Sequence, residues 1–302
     1  DLELIIKNIW QDNLGIKNIG TEDNFFDLGG HSLLLAKMKI DLEEKLGYEL
    51  PMSSVFNANT IKELAIHLEE KVNSVVIPLK KQGDKKPLFC VHAVSGTIFP
   101  FYPIAKNIDK DTPFYAIQSY GFSENANPIE TIEEMASFYI SGIKNVQKSG
   151  PYIISGWSFG SLVALEIAHQ LIKNGDEVEK LIIIDMNAPI GEEFRKSIDE
   201  EFLTNRFNID MKGLFGKKVD SENINVKSLY KVFKGNINAS LKYEGKKIDT
   251  EIILFRAIEN IEEDNLLNWD KISDKVKLFN IKGNHYSIIK SPDFFEKLNN
   301  LL

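Results

Sequence analysis

From Leu88 onward, short apolar runs bounded by turns alternate with helix-length segments, and this alternation limits the fold more than any other feature of the chain. The runs are LFCVHA, FYAIQS, YIISG, LIIID, EIILFRA and VKLFNI; between them, segments such as 131–146 and 159–174 have helical length. Parallel strands joined by crossover helices are buried on both faces, so they read as nearly unbroken apolar runs. The pattern predicts a mostly parallel sheet with helices on both faces over 88–302. Residues 191–244 interrupt it. They are charged, helical in flavour and strand-free, which predicts a helical lid inserted over the sheet.

The first 72 residues follow a different period. Leu2, Ile5, Ile6 and Ile9 fall on one helical face and predict a helix over 2–13. Residues 15–30 carry no period, and the cluster Phe25, Phe26 and Leu28 is expected to pin that loop onto a core. A second helix is predicted over 32–46, with Leu35, Met38, Leu42 and Leu46 on one face and Gly47 closing it. Thr60-Ile61-Lys62-Glu63 is a capping-box signature that opens a helix burying Ile61, Leu64, Ala65 and Leu68. Three or four short helices in this span make a small bundle. Residues 73–87, with lysines, Gly83 and two prolines, read as a linker and lead-in. The chain opens on Asp1 already in a helical pattern and closes on a helix at Leu302, the expectation for the C-terminal segment of a longer polypeptide.

Composition narrows the function classes. A net charge of −8 with both signs interspersed argues against a nucleic-acid partner, which would require a basic footprint. No apolar run approaches the roughly 18 residues of a membrane span, and no signal peptide is visible. The single cysteine, Cys90, excludes an internal disulfide and fits a reducing cytoplasm. It lies mid-strand and reads as a small core residue. Five scattered histidines with one cysteine give no metal-ligand cluster.

Gly156-Trp157-Ser158-Phe159-Gly160 follows the run YIIS and opens a helix. A serine hydroxyl becomes a useful nucleophile only when exposed, served by a base and faced by oxyanion donors. A strand–turn–helix elbow gives the exposure, and the glycines relieve crowding at the sharp turn. In this architecture the acid and then the histidine follow the serine. That order excludes His31, His67 and His92, and His169 lies about three turns along the elbow helix. His285 remains, in the loop after the run 276–281. For the acid, Asp185 ends the run LIIID, while Glu259 and Asp264 follow the next run, the more usual position in this fold. Asp185 is favoured, because a buried strand ending in a lone carboxylate leaves a charge that needs a partner. The N–H of Phe159 is expected as one oxyanion donor. The other should come from the loop His92-Ala93-Val94-Ser95-Gly96, with Val94 preferred and Ala93 next.

Ser32 begins a predicted helix, and its own chemistry supports no more than an N-cap. The segment around it, Asp23-Asn24-Phe25-Phe26-Asp27-Leu28-Gly29-Gly30-His31-Ser32-Leu33, resembles the attachment motif of peptidyl carrier proteins at every defined position. The lead-in IPLK, LFCVHAVSG, GWSFGS, LIIID and GNHYSII likewise resemble the C-terminal type I thioesterase domain of nonribosomal peptide synthetases. Together they cover almost the whole chain. The resemblance implies an all-α four-helix carrier followed by an α/β-hydrolase domain. It implies 4′-phosphopantetheine on Ser32, installed by a separate phosphopantetheinyl transferase, and upstream condensation and adenylation domains. It also implies the catalytic acid at the end of the strand after the elbow helix, which is Asp185. The implied function is release of a peptidyl thioester through Ser158, by hydrolysis or macrocyclisation. A carrier-fused free-ester hydrolase, a non-catalytic carrier module and an iterative thioesterase are the alternatives.

Overall fold

The computed structural model describes residues 2–46, 55, 58–73, 75–122, 126–190, 199–215, 224–259 and 266–302. It divides into two compact units, Asp1–Ser74 and Val75–Leu302.

The first unit contains helices α1 (Leu2–Leu14), α2 (Ser32–Leu46) and α3 (Ile61–Asn73). Its core joins Ile6, Ile9 and Trp10 of α1 to Leu35, Met38 and Leu42 of α2 and to Ile61, Leu64, Ala65 and Leu68 of α3. Thr60 caps the helix, with Glu63 N–H donating to Thr60 Oγ1 at 3.1 Å, and the Glu63 carboxylate reaches one residue beyond the usual capping box to accept from Asn59 N–H at 2.9 Å. Phe25 pins the long loop as expected, its ring edge-to-face on Trp10 with centroids 5.0 Å apart. Phe26 departs from expectation and is 43% exposed. Its ring stands edge-to-face on that of Phe25, with centroids 5.5 Å apart, on the solvent side of the buried ring. The Gly47 helix stop lies outside the described residues. So do residues 48–54, 56 and 57, while Val55 is helical and buried.

The second unit is built on a seven-stranded sheet. Its strands are β1 (Val76–Lys80), β2 (Leu88–Val91), β3 (Phe114–Ile117), β4 (Tyr152–Trp157), β5 (Val178–Ile184), β6 (Ile252–Ile258) and β7 (Val276–Lys282). The order across the sheet is β1-β3-β2-β4-β5-β6-β7. All pairings are parallel except that of β1 with β3. This is the arrangement expected for an α/β-hydrolase. The lead-in is corrected at one point: part of 73–87 is strand. Val76 and Ile77 are β-branched and favour the pleat, while Pro78, lacking an N–H, fits only an edge strand. The register of β1 shifts between Pro78 and Lys80.

Helices α4 (Tyr102–Asn107), α5 (Ile132–Val146), α6 (Gly160–Lys173) and α9 (Pro292–Asn299) accompany the sheet. Every residue of β2 and β4 is buried, which explains their unbroken apolar runs. Between β5 and β6 come two helices of the insertion, α7 (Glu200–Phe215) and α8 (Ile224–Lys242). Residues 191–198 and 216–223 lie outside the described residues. No helix among the described residues is long and apolar enough to cross a membrane.

The chain leaves β2 toward β3 on one side and returns as β4 on the other. Connections that depart in opposite directions open a crevice at the carboxyl ends of the strands, where such sheets place their ligands.

Phe255 stands in the far half of the core, fully buried, with its ring 4.8 Å from Phe294 and 5.2 Å from Phe279. Phe255→Ala is expected to lower unfolding free energy by about 3–5 kcal/mol. Urea denaturation followed by near-UV circular dichroism measures it, and a loss below about 1 kcal/mol would contradict this packing.

Candidate active site

Ser158 is the residue between β4 and the N-cap of α6, and its backbone is left-handed at φ 54°. A non-glycine residue held there is strained, and such strain persists only where the surroundings enforce it. The enforcement is backbone contact. A Cβ on Gly156 would lie 2.1 Å from the Gly160 carbonyl oxygen, and one on Gly160 would lie 2.3 Å from that of Val91. Both flanking glycines are therefore fixed by closeness of main chain to main chain. Ser158 N–H donates to Ile184 O at 2.9 Å, and Ser161 Oγ to Gly156 O at 2.8 Å, closing the elbow on both sides. The N-terminus of α6 adds its partial positive charge beside the serine.

Asp185 follows β5 directly and is also left-handed, at φ 53°. Its Oδ1 accepts the Ala257 N–H at 2.8 Å, and its Oδ2 lies 2.7 Å from His285 Nδ1. A carboxylate can only accept, so the His285 proton sits on Nδ1 and Nε2 is left as the basic nitrogen. His285 itself is held from behind, since the Trp157 indole N–H donates to its carbonyl oxygen at 3.2 Å. The Trp157 and His285 rings stand 5.4 Å apart. Of the other two acids considered, Glu259 is exposed and accepts from the Asn284 amide at 3.4 Å. Asp264 lies outside the described residues.

At the end of β2, the loop 92–96 turns tightly, with Gly96 N–H donating to Ala93 O at 2.8 Å. Among the described residues, neither the Phe159 N–H nor the Val94 N–H has a hydrogen-bond partner. Unpaired donors at a strand end beside a strained serine are what an oxyanion would require. Ser158, Asp185, His285 and Val94 thus follow four different strands, all at the carboxyl edge of the sheet.

The family model for the thioesterase domain matches residues 86–302. The chain belongs to that family. Ahead of the thioesterase domain, the family model for the phosphopantetheine attachment site matches residues 5–68. Among curated relatives, malpibaldin synthetase of Mortierella alpina is 36% identical over 206 residues, covering 66% of this chain and 4% of its own length. A dimodular nonribosomal peptide synthase of Bacillus subtilis (strain 168) is 38% identical over 187 residues, covering 61% of this chain and 8% of its own. The chain therefore spans only a small part of the relatives it matches. The crystal structure of a holo four-domain nonribosomal peptide synthetase bound to AMP and glycine aligns with a TM-score of 0.66 at 26% identity, over 99% of this chain and 26% of that one.

Three features around the thioesterase site escaped the sequence reading. Asn236 of α8, fully buried, donates from Nδ2 to Val94 O at 3.0 Å. Tyr286, next to His285, donates its hydroxyl to Asp210 of α7 at 2.5 Å. Both join the helical insertion to loops of the site, and a strand-free charged stretch carries no periodic signal that would reveal such contacts. The third is His92, excluded as a base by its place in the chain. It is fully buried, with Nδ1 2.7 Å from Ala93 O and Nε2 2.8 Å from the Tyr139 hydroxyl. A histidine closing an apolar strand was the signal available. Cys90 is buried in β2 as expected, and burial pushes its thiol up to about 12, far from nucleophilic use.

Burial also lowers His92 from 6.5 to about 4. Between those two values the unfolded chain binds a proton that the native protein refuses. The stabilisation is thus complete above pH 6.5 and is lost as pH falls toward 4. Relative to His92→Asn, wild type should lose roughly 3 kcal/mol more of unfolding free energy across that window. Urea melts at a series of pH values measure the difference; parallel curves would contradict a neutral buried imidazole.

Proposed function

We propose that this chain is the release segment of a nonribosomal peptide synthetase, with residues 1–72 as carrier domain, 73–87 as linker and lead-in whose stretch Val76–Lys80 joins the sheet as edge strand β1, and 88–302 as the remainder of the thioesterase under a lid at about 191–244. The observation that carries the reading is the succession, in one chain, of a phosphopantetheine attachment match and an elbow serine accompanied by an Asp–His pair. Ser32 suits the attachment. It begins α2, where helix N–H groups favour the negative charge of a phosphodiester, and the preceding His31 is exposed. Gly30 brings the loop against Phe25, since a Cβ there would lie 2.2 Å from the ring. Bound 4′-phosphopantetheine would present the acyl group as a thioester.

His285 Nε2 takes the proton of Ser158 Oγ as that oxygen attacks the thioester carbonyl. Asp185 keeps the imidazole in the required tautomer and stabilises the imidazolium that forms. The N–H groups of Phe159 and Val94 hold the developing oxyanion, and His285 then protonates the departing thiolate. The resulting acyl-O-Ser158 ester is opened by water or by an amine or hydroxyl of the same chain, with His285 again as base. Water gives a free acid and an internal nucleophile gives a ring. A lid that kept water from the acyl ester would favour the ring. A phosphopantetheinyl transferase and upstream condensation and adenylation domains are the implied partners. A reducing compartment such as the cytoplasm would keep the arm's thiol free for loading.

Incubation with coenzyme A, magnesium and a broad-specificity phosphopantetheinyl transferase should add one phosphopantetheine to wild type and Ser158→Ala but none to Ser32→Ala, read by intact mass. No addition to folded wild type would remove the carrier and leave a free-ester hydrolase as the better reading. On a soluble acyl thioester, Asp185→Asn should lower kcat by about 10,000-fold, and Glu259→Gln by less than about twofold. Equal losses would contradict the assignment of the acid.

A further inference from the structure

His92 belongs to no step above, yet it is one of the most completely buried polar side chains in the second unit. Its surroundings fix its chemistry. The Ala93 carbonyl oxygen, 2.7 Å from Nδ1, can only accept, so Nδ1 carries the proton. In the neutral ring Nε2 is then an acceptor, and the Tyr139 hydroxyl of α5, at 2.8 Å, donates to it. Desolvation keeps the ring neutral, holding its pKa near 4. One tautomer is left, with no rotational freedom to exchange its partners.

That tautomer grips a particular peptide. The Ala93 carbonyl shares its amide plane with the Val94 N–H, and in a trans peptide the two point in opposite directions. Anchoring Ala93 O from one side by His92 Nδ1–H and Gly96 N–H therefore aims the Val94 N–H away from the His92 ring. No group among the described residues meets that N–H. The His92 ring also stacks on Phe159, with centroids 5.8 Å apart and planes 22° from parallel. Phe159 is the residue whose N–H follows the nucleophile. One side chain thus touches both halves of the donor pair, and the turn carrying Ser158 packs on its backbone, since a Cβ on Gly160 would lie 2.5 Å from His92 O.

We propose that His92 is a positioning residue for the oxyanion site: its neutral Nδ1–H holds the Ala93–Val94 peptide so that the Val94 N–H is presented to the developing oxyanion, while its ring braces Phe159. The inference rests on the roles given above to Ser158, Phe159 and Val94. It separates His92 from a mere core residue, because a core residue needs only volume whereas this role needs a donor at the δ position.

The test compares His92→Asn, His92→Gln and His92→Leu in the full chain, using an octanoyl N-acetylcysteamine thioester as substrate. Asparagine places an amide N–H where Nδ1 stands; glutamine places it where Nε2 stands; leucine supplies neither. His92→Gln and His92→Leu should lose on the order of 100-fold in kcat with KM within about threefold, since the interaction is made in the transition state. His92→Asn should recover at least about tenfold of that loss. Phosphonylation of Ser158 by a fluorophosphonate, which also builds charge on oxygen, should rank the variants in the same order. If leucine does not fold, as judged by near-UV circular dichroism, the asparagine and glutamine pair decides alone. Equal kcat for those two, or a loss carried by KM, would overturn the proposal. Wild type that Ser158→Ala leaves fully active would instead overturn the reading beneath it.

Discussion

The close approach of main chain to main chain at the elbow is the constraint on which the site depends. Gly160 lies against the carbonyl oxygens of Val91 and His92, so the turn after β4 sits directly on the end of β2. No side chain larger than hydrogen fits, and the serine between the glycines takes a left-handed backbone as a consequence. Two adjacent parallel strands thereby bring Ser158, the proposed nucleophile, and the loop that carries the Val94 N–H to one edge. The long crossovers of a parallel sheet allow this, because each strand can end in its own loop without disturbing its neighbour's ladder.

Asp185 and His285, the proposed acid and base, come from the other half of the sheet, and here the backbone again decides. Asp185 leaves β5 in the left-handed region, which turns its carboxylate across the end of β6 to meet the Ala257 N–H and His285 Nδ1 together. A carboxylate satisfied by one main-chain donor and one imidazole is oriented without being neutralised by a cation. Such an arrangement suits a group whose task is to stabilise a passing positive charge. The helical insertion touches this machinery at two points, through Asn236 on the Val94 carbonyl and Asp210 on Tyr286. The described helices of the insertion are therefore joined by hydrogen bonds to loops of the site.

Much of this was legible in the residues because the features concerned are periodic or local. The central strands announced themselves as apolar runs, β2 and β4 being buried along their whole length, and Gly156-Trp157-Ser158-Phe159-Gly160 carried its own turn geometry. Asp185 was readable as a charge ending a buried strand. The strand at Val76–Lys80 was hidden by Pro78 and the lysines, which suit an exposed edge as well as they suit a linker. Asn236, Asp210 and Tyr139 were not legible, because their partners lie 142, 76 and 47 residues away in sequence and no spacing rule connects them. His92 was read only against the order of a base, and its contribution through a neighbouring peptide became visible with the hydrogen bonds. Ser32 was different again: physical chemistry offered an N-cap, and only the motif around it pointed to a covalent arm.

In the proposed cycle an acyl group moves from the arm on Ser32 to the oxygen of Ser158 before it is released. Loading Ser32 with an acyl-phosphopantetheine and quenching a single turnover at short intervals would follow that movement by peptide mass. The acyl mass should leave the Ser32 peptide, appear transiently on the Ser158 peptide and then appear in product, with all transfer abolished in Ser158→Ala. Release at an undiminished rate from Ser158→Ala, with the acyl mass passing directly from the Ser32 peptide to product, would contradict it.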